Sequence, residues 1–412
     1  MRNFIEHMRE KGYVVDIEDP FPIEFEAPKF AAKTDKILFF HKFAGARAVM
    51  NVTPTRQILG EALGIDWQDI PRHLAGASFD GQVIVDGTLA LEKPNLTKLP
   101  VMWHYPGDAG RYITAGIVFS QYEGIQNAAI HRMLILDNKR VVARLVEGRH
   151  TYLMHEKALE RGEVLPIAVA IGTHPIITFA SCTRVPVGKE LAYAAELFGG
   201  EIHVHQCPNG VVVPDAEIIL EGYIGKDTTN EGPFVDITGT YDSVRVQPII
   251  EFTGIHTKRD FIYHGILPGG NEHMMLMGVP YEPKIFRAVS EVTGIRNVVL
   301  TRGGCGYLHA VLQIKKSSDG DAKNAIMAAF TAHTSLKHVV VVDEDIDPFN
   351  PFDIEYAIAT RVRGDKDIMV VTGTRGSSLD PSQLADGTNV KVGIDATMTL
   401  GEESSFKRAL WT

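Results

Sequence analysis

The sequence is poor in cysteine, and this scarcity limits the classes of protein that it can encode. Its three cysteines, Cys182, Cys207 and Cys305, are scattered over 412 residues, and no two of them form a C-x-x-C pair. A disulfide-stabilised secreted domain needs a much denser cysteine framework. We therefore expect reduced and mostly buried thiols, as in an intracellular protein.

Long apolar runs are also missing. Charged residues interrupt the first twenty positions, which therefore lack the apolar core of a signal peptide, and no segment approaches the ~20 apolar residues of a membrane-spanning helix. The formal net charge of -10 disfavours a general affinity for nucleic acid or anionic membranes, although it allows a local basic pocket for a phosphorylated ligand. The sequence predicts a cytoplasmic location, no membrane span and no nucleic-acid partner.

Several common catalytic motifs are absent as well. The chain has no G-x-x-x-x-G-K-[ST] loop, no H-E-x-x-H, no G-x-S-x-G and no G-x-G-x-x-G that opens a helix after a strand. These absences disfavour phosphate-loop, zincin, serine-hydrolase and Rossmann proteins. His203 and His205 would face the same side of a predicted strand, but no third ligand lies near them in the sequence. We therefore expect them to be structural rather than a metal site.

The chain is long enough for more than one hydrophobic core. Its first hundred residues alternate helical and extended patterns and end in a stretch rich in proline and glycine. Extended runs of β-branched residues dominate the middle of the chain. One helical pattern, KELAYAAELFGG, interrupts them, and its two final glycines are expected to end the helix. Strands and helices alternate again in the last part. We predict an α+β protein with an N-terminal α/β domain (1–108), a central barrel or sandwich (109–300) and a C-terminal α/β domain with a partly parallel sheet (301–412).

The segment EGPFVD carries the strongest local signal for catalysis. It follows an extended run, and its Gly-Pro pair enforces a turn. Glu231 and Asp236 lie at its two ends, with two apolar residues between them. An apolar environment and a second carboxylate both favour the protonated form of a carboxyl group, so the pair is suited to donate a proton. Taken alone, the same pattern is also typical of a solvated turn.

A second group of polar residues could face one cavity. Asn127 and Arg132 begin one extended run and His150 ends the next, with the turn residues 137–139 between them. A hairpin of this length would bring His150 back to Asn127. Glu190 separately begins the predicted helix. An imidazole, an amide oxygen and a carboxylate make a mixed site suited to Mn²⁺ or Mg²⁺, especially when a ligand phosphate completes the coordination.

The order and spacing of these residues resemble a known enzyme family. The chain contains N-x-x-x-x-R, a histidine 23 positions after the asparagine, V-P-x-x-x-E before a helix, and E-G-P-[FY]-x-[DE]. Together these motifs are similar to those of the UbiD-like decarboxylases, which use prenylated flavin mononucleotide (prenylated FMN) and include ferulic acid decarboxylase and polyprenyl-hydroxybenzoate decarboxylase. The resemblance runs from about Arg111 to the A-T-R of Ala359–Arg361. It implies that the central domain is a flavin-binding split β-barrel and that the C-terminal domain also mediates oligomerisation.

The resemblance implies a cofactor site. Asn127, His150 and Glu190 match the family's ligands for a divalent metal, Mn²⁺ or Mg²⁺, which also holds the flavin phosphate, and Arg132 also contacts the cofactor. Three further residues match positions that bind K⁺ in some members, although the last of them differs from the residue found elsewhere: Ala180, Ser181 and Cys182. A flavin prenyltransferase is the expected cofactor supplier.

The resemblance also implies the catalytic residues. Arg132, Glu231 and Asp236 match the family's arginine, glutamate and acid. Arg132 is expected to pair bidentately with the substrate carboxylate and to keep Glu231 ionised, and Asp236 to protonate the carbon that loses CO₂. Asp236 stands where the ferulic acid branch has glutamate, so its reach is shorter.

Substrate choice rests on fewer residues. Arg149 and His131 flank the matched positions and suit an anionic substrate, so they are expected to bind a substrate phosphate. The resemblance is greatest to archaeal members that convert trans-anhydromevalonate 5-phosphate to isopentenyl phosphate in a mevalonate pathway. An aromatic-acid decarboxylase, acting on a polyprenyl-hydroxybenzoate-like acid, is the alternative within the class, and a flavin-binding protein without decarboxylase activity is the alternative outside it. In each enzymatic case the partner is a small unsaturated acid, and a homo-oligomer, dimer or hexamer, is expected.

Overall fold

A computed structural model describes residues 1–409, so the last three residues of the predicted C-terminal domain lie outside the described part. The chain forms two compact units. The first comprises Met1–Trp67 and Ala77–Leu276, and the second comprises Gln68–Gly76 and the residues from Met277 onward. The predicted boundary at residue 108 therefore lies inside the first unit, and the boundary at residue 300 lies inside the second.

Strands make up most of the regular structure, and their bounds are as follows: β1 Val14–Ile17, β2 Ile37–Phe43, β3 Ala46–Met50, β4 Gln82–Thr88, β5 Tyr112–Ile113, β6 Ile117–Tyr122, β7 Ile125–Ile130, β8 Met133–Ile135, β9 Arg140–Ala143, β10 Leu165–Ile171, β11 Glu201–Gln206, β12 Val212–Pro214, β13 Ile218–Glu231, β14 Phe234–Val235, β15 Tyr241–Asp242, β16 Arg245–Thr257, β17 Ile262–His264, β18 Gly294–Leu300, β19 His309–Lys315, β20 His338–Val342, β21 Ile368–Arg375 and β22 Thr388–Ala396.

The α-helices are short, and their bounds are as follows: α1 Arg2–Glu10, α2 Glu26–Ala31, α3 Arg56–Leu63, α4 Ile70–Ala75, α5 His150–Glu160, α6 Pro175–Cys182, α7 Glu190–Leu197, α8 Asn271–Gly278, α9 Glu282–Ser290, α10 Asp321–Ala332 and α11 Pro351–Arg361. Helix α7 ends where the sequence predicts, since Gly199 and Gly200 both adopt positive φ angles that other residues avoid. None of these helices is long and apolar enough to cross a membrane.

An eight-stranded sheet, in the order β5-β8-β9-β16-β13-β10-β6-β7, forms the centre of the first unit. All of its neighbouring strands are antiparallel. The two end strands, β5 and β7, do not pair with each other, so the sheet is open. This arrangement agrees with the predicted α+β class and its central split β-barrel.

The N-terminal sheet, β1-β2-β3-β17, shares a core with this central sheet. Strand β17 comes from residues after the central sheet and pairs in parallel with β3. Buried side chains of β2, such as Phe40, belong to one hydrophobic cluster with Val118 of β6 and Val169 of β10. Because burial of one continuous apolar core holds both sheets, residues on either side of position 108 fold as one unit.

The second unit contains the five-stranded sheet β18-β19-β20-β22-β21. Its central pairs are parallel and its outer pairs antiparallel, as the predicted partly parallel sheet requires. Helices α9 and α10 pack their apolar faces in the same core as β18, β19 and β20. Leu300 is the last residue of β18, a strand of this sheet. The predicted boundary at residue 300 therefore falls within the sheet rather than before it.

Candidate active site

Arg132 lies between β7 and β8 and is almost completely buried. Its Nε and Nη2 donate to the two carboxylate oxygens of Glu231, at 2.9 and 2.8 Å. Glu231 is the last residue of β13 and is completely buried. A bidentate guanidinium–carboxylate pair in this setting is strong and fixes the orientation of both groups.

The same guanidinium also contacts two further carboxylates. Nη1 of Arg132 donates to Asp236 at 3.2 Å and Nη2 donates to Asp242 at 3.0 Å. Asp242 is itself paired with Arg245. Two cations therefore face three carboxylates, counting Glu231, which leaves one surplus negative charge in the group. The structure thus brings together the three predicted catalytic residues.

The sequence did not identify Asp242, although it holds a signal for this residue. Strands β14 and β15 form a short hairpin in which Phe234 pairs with Asp242. This hairpin folds Asp242 back toward the acidic segment and toward Arg132, which also lies 4.9 Å from the Phe234 ring centre. The Thr-Gly turn between two short extended runs could have predicted this pairing.

Asp108 holds the backbone of the segment 231–236 by a hydrogen bond. Its Oδ1 accepts from the backbone N–H of Val235 at 3.2 Å, and its Oδ2 accepts from the N–H of Tyr105 at 3.0 Å. Burial raises the pKa of Asp108 to about 6, although these N–H groups and the Arg132 charge act in the opposite direction. No sequence motif singles out Asp108, because its hydrogen-bond partners are backbone groups.

His273 is a second group that the sequence analysis missed. Its Nδ1 accepts a hydrogen bond from the Gly269 N–H at 3.0 Å, which places the proton of the neutral ring on Nε2. Burial lowers the pKa of His273, while the charge of Asp236 raises it and that of Arg132 lowers it. A neutral imidazole therefore lies within the electrostatic range of the acidic group.

A second cluster joins Asn127, His150 and Glu190. Nδ1 of His150 lies 3.2 Å from Oδ1 of Asn127 and 3.6 Å from Oε1 of Glu190. The structure reaches this arrangement by a route that differs from the predicted hairpin. Strand β7 pairs with β6, and His150 is the first residue of helix α5 rather than the end of a strand. Turn residues 137–139 do connect two paired strands, β8 and β9, as predicted.

Each of the three side chains of this cluster can present a lone pair to its centre. Oδ1 of Asn127 faces Nδ1 of His150 and Oε1 of Glu190, both at 3.2 Å, while its Nδ2 faces the hydroxyl of Thr151. Only a rotated amide would donate to the other two groups. Burial raises the pKa of Glu190 to about 7, and burial together with the charges of two nearby arginines lowers the pKa of His150. Convergence of an amide oxygen, a neutral imidazole and a carboxylate suits a divalent cation.

The two residues predicted to bind a substrate phosphate differ in availability. His131 is buried, its Nδ1 donates to the Arg144 carbonyl at 2.9 Å, and its Nε2 accepts from the Thr151 hydroxyl at 3.1 Å. Burial lowers its pKa to about 4. Both ring nitrogens are occupied and the ring is neutral, so the structure does not support His131 as a phosphate ligand. Arg149 precedes helix α5, and within residues 1–409 its guanidinium has no hydrogen-bond or ion-pair partner.

The residues predicted to bind K⁺ lie on helix α6 and at its end. Ala180 and Ser181 are buried, and the Ser181 hydroxyl donates to the Ile177 carbonyl at 2.8 Å. Burial raises the pKa of Cys182 to about 12, so this side chain is an uncharged thiol. K⁺ binding stays a prediction.

The HVH pair has a surface role in the structure. His203 and His205 share one face of β11, and Nδ1 of the exposed His203 lies 2.7 Å from Asp86 of β4. In the described part of the chain, no group of three or more His, Cys, Asp or Glu side chains is arranged to hold a metal ion. The cluster at Glu190 differs because its third donor is an amide.

Comparison with known proteins identifies the family. Profiles of three domains of 3-octaprenyl-4-hydroxybenzoate carboxy-lyase match in order: the N-terminal domain at residues 5–78, the Rift-related domain at 82–271 and the C-terminal domain at 274–396. The chain therefore belongs to the UbiD family of carboxy-lyases, which are decarboxylases.

Individual relatives support this assignment. Anhydromevalonate phosphate decarboxylase of Methanosarcina mazei is 54% identical over 415 residues, which cover 99% of this chain and 98% of that protein. The protein of the same name from Archaeoglobus fulgidus is 53% identical over 364 residues, covering 87% of this chain and 84% of that protein. The solved structure of the UbiD-class enzyme HmfF from Pelotomaculum thermopropionicum in complex with FMN has a TM-score of 0.96 at 32% identity, covering 100% of this chain and 97% of that one.

Proposed function

We propose that this chain decarboxylates trans-anhydromevalonate 5-phosphate to isopentenyl phosphate with the help of prenylated FMN. The observation that carries the proposal is the buried Arg132, which holds Glu231 bidentately and Asp236 beside it. Binding a flavin alone needs no such arrangement of a cation and acids. The substrate follows from the relatives named anhydromevalonate phosphate decarboxylase, two of which are more than half identical to this chain.

Asn127, His150 and Glu190 are the residues that we propose to hold the cofactor, through Mn²⁺ or Mg²⁺ bound to its phosphate. Nδ1 of His150 lies 3.2 Å from the Asn127 amide and 3.6 Å from the Glu190 carboxylate, and each of these three groups can offer a lone pair to a divalent cation. A bound prenylated flavin supplies the electron sink that stabilises the substrate when CO₂ leaves. HmfF has been solved both with FMN and, in an evolved dimeric form, with prenylated FMN.

Arg132 orders the acids rather than clamping a substrate carboxylate with its bidentate edge. A guanidinium has five N–H groups. Glu231 takes two of them, and Asp236 and Asp242 take one each, which leaves one for the substrate. The bidentate substrate pairing expected from the sequence therefore does not fit this arrangement.

Asp236 is the residue that we propose to protonate the product carbon. A general acid must be able to reach the substrate. Of the three carboxylates around the guanidinium, the side chain of Asp236 is the most exposed, at 20% against 0% for Glu231 and 14% for Asp242.

The test is CO₂ release by full-length protein matured with a flavin prenyltransferase. We expect turnover of trans-anhydromevalonate 5-phosphate and little turnover of a cinnamate-like acid or a hydroxybenzoate. Glu231→Gln should lose about 100-fold or more in rate while it retains the flavin. Glu251→Gln, which changes an exposed glutamate paired with Lys139 on the same sheet, is the matched control and should keep its rate.

Two outcomes would decide against this function. Protein that carries the flavin but releases CO₂ from none of these acids would contradict the decarboxylase assignment. Release from the hydroxybenzoate alone would favour the aromatic-acid alternative. The homo-oligomer and the cytoplasmic location stay predictions from the sequence.

A further inference from the structure

Asp242, the last residue of β15, lies between two arginines. Its Oδ2 accepts from Nη2 of Arg132 at 3.0 Å, and its Oδ1 pairs with Nη1 of Arg245 at 2.5 Å. The backbone N–H of Ser243 also donates to Oδ1, at 2.9 Å. Burial raises the pKa of Asp242, but the hydrogen bonds and charges of the two arginines lower it below its ordinary value. Asp242 is therefore an ionised carboxylate that serves two cations.

Arg245 is also the cross-strand neighbour of Glu231. It is the first residue of β16 and pairs directly with Glu231, the last residue of β13. Directly opposite residues of antiparallel strands project from the same face, with their Cβ atoms about 4.5–5.5 Å apart. Both oxygens of Glu231 nevertheless accept from Arg132, whereas Nη1 of Arg245 is held by Asp242 and by the Ser243 carbonyl, at 3.2 Å. Two guanidinium groups thus lie within reach of one carboxylate, and only one of them binds it.

The burial of Glu231 makes it a strong alternative partner for Arg245. Glu231 is completely buried, and opposite charges attract each other more strongly in the interior than at the surface. The charge of Arg245 also acts on Glu147, but that side chain is 61% exposed and already pairs with Arg144. Exposed ion pairs contribute little to stability. Loss of the Asp242 charge would therefore direct Arg245 toward Glu231.

We propose that Asp242 is a positioning residue that holds Arg245 away from Glu231. Glu231 is then reserved for Arg132. This inference rests on the proposed function and deepens it, because it names the group that keeps the proposed catalytic residues in their arrangement. Glu231 and Asp242 together occupy Nε and Nη2 of Arg132, so its one free N–H lies on Nη1, the nitrogen that donates to Asp236. Sharing Glu231 with a second guanidinium would displace this nitrogen.

The first experiment measures kcat and KM for CO₂ release from trans-anhydromevalonate 5-phosphate by the flavin-loaded, full-length enzyme. Asp242→Asn keeps the shape of the side chain but removes its charge, so kcat should fall about tenfold or more, with a smaller change in KM. The double variant Asp242→Asn/Arg245→Gln also removes the competing cation, and its kcat should exceed that of Asp242→Asn about fivefold or more. Asp242→Glu keeps the charge and should also be faster than Asp242→Asn. Asp215→Asn, which breaks an exposed ion pair with Lys258, is the matched control and should keep its kcat.

The second experiment is a crystal structure of full-length Asp242→Asn, which needs no turnover. We expect the guanidinium of Arg245 to lie within hydrogen-bonding distance of the Glu231 carboxylate, and Arg132 to lose at least one of its two hydrogen bonds to Glu231. In the double variant Asp242→Asn/Arg245→Gln, the bidentate pair of Arg132 and Glu231 should be present again.

The outcomes separate this inference from the proposed function. A wild-type enzyme without decarboxylase activity would contradict the function, and the variant structures would then decide the inference alone. A double variant no faster than Asp242→Asn would overturn the inference, as would an Asp242→Asn structure in which Glu231 still pairs with Arg132 alone. If only the double variant folds, the competition by Arg245 is supported. If neither variant folds, Asp242 has a structural role and the inference is overturned.

Discussion

Replacement of Arg132 by methionine should destabilise the first unit by leaving Glu231 buried without a cation. Glu231 is completely buried, and both of its oxygens accept from Arg132. Removing one partner of a buried ion pair typically costs about 3–5 kcal/mol, because the remaining charge is no longer compensated. Methionine keeps much of the aliphatic volume, so packing loss contributes less. At about 2 °C per kcal/mol for a unit of this size, we expect Tm to fall by about 6–10 °C.

The double variant Arg132→Met/Glu231→Gln separates the charge effect from lost packing. Replacing both members of a buried pair by neutral groups of similar shape is often close to neutral. We expect the double variant to regain most of the lost stability, with a remainder because Asp236 and Asp242 also lose a partner. Both variants should be inactive.

The assay is urea and thermal unfolding at pH 7.5, followed by circular dichroism. Each variant is compared with wild-type protein at the same concentration and flavin content, because a bound cofactor raises apparent stability. A loss below about 1 kcal/mol in Arg132→Met would refute the reasoning, since it would mean that the buried Glu231 carboxylate does not depend on its cation. A double variant no more stable than the single variant would refute it equally.

Three further predictions follow from the two clusters. Because burial raises the pKa of Asp108 to about 6, its contribution to stability falls as pH rises from about 4 to 6; Asp108→Asn should remove up to about 3 kcal/mol of this decline, measured by urea unfolding at pH 4 and pH 7. His150→Ala should remain folded by circular dichroism but lose the metal and flavin, measured by elemental analysis and absorbance, and retention of both would contradict the proposed metal site. Asp236→Asn should keep the flavin and slow turnover about 100-fold or more, whereas a lower Tm with normal turnover per folded molecule would indicate a structural role.

The sequence by itself predicted much of the fold. The hydrophobic patterns predicted a central region of strands and a partly parallel C-terminal sheet. They could do so because apolar residues recur with a different period in strands than in helices, and this difference is visible within a short window of sequence. The double glycine after KELAYAAELFGG located the end of α7. The resemblance to the family grouped Arg132 with Glu231 and Asp236. These two acids lie 99 and 104 residues after Arg132 in the sequence, yet both are within hydrogen-bonding distance of its guanidinium.

Only the tertiary structure decided which other groups surround those residues. His150 was placed on a strand by its pattern, yet it begins a helix, because a pattern of one or two residues does not distinguish a strand end from a helix start. Both ring nitrogens of His131 are hydrogen-bonded to groups that folding brings near, and the β14–β15 hairpin brings Asp242 to Arg132. Burial and hydrogen-bond partners depend on contacts between distant segments, and a local sequence pattern contains no information about which segment will cover it.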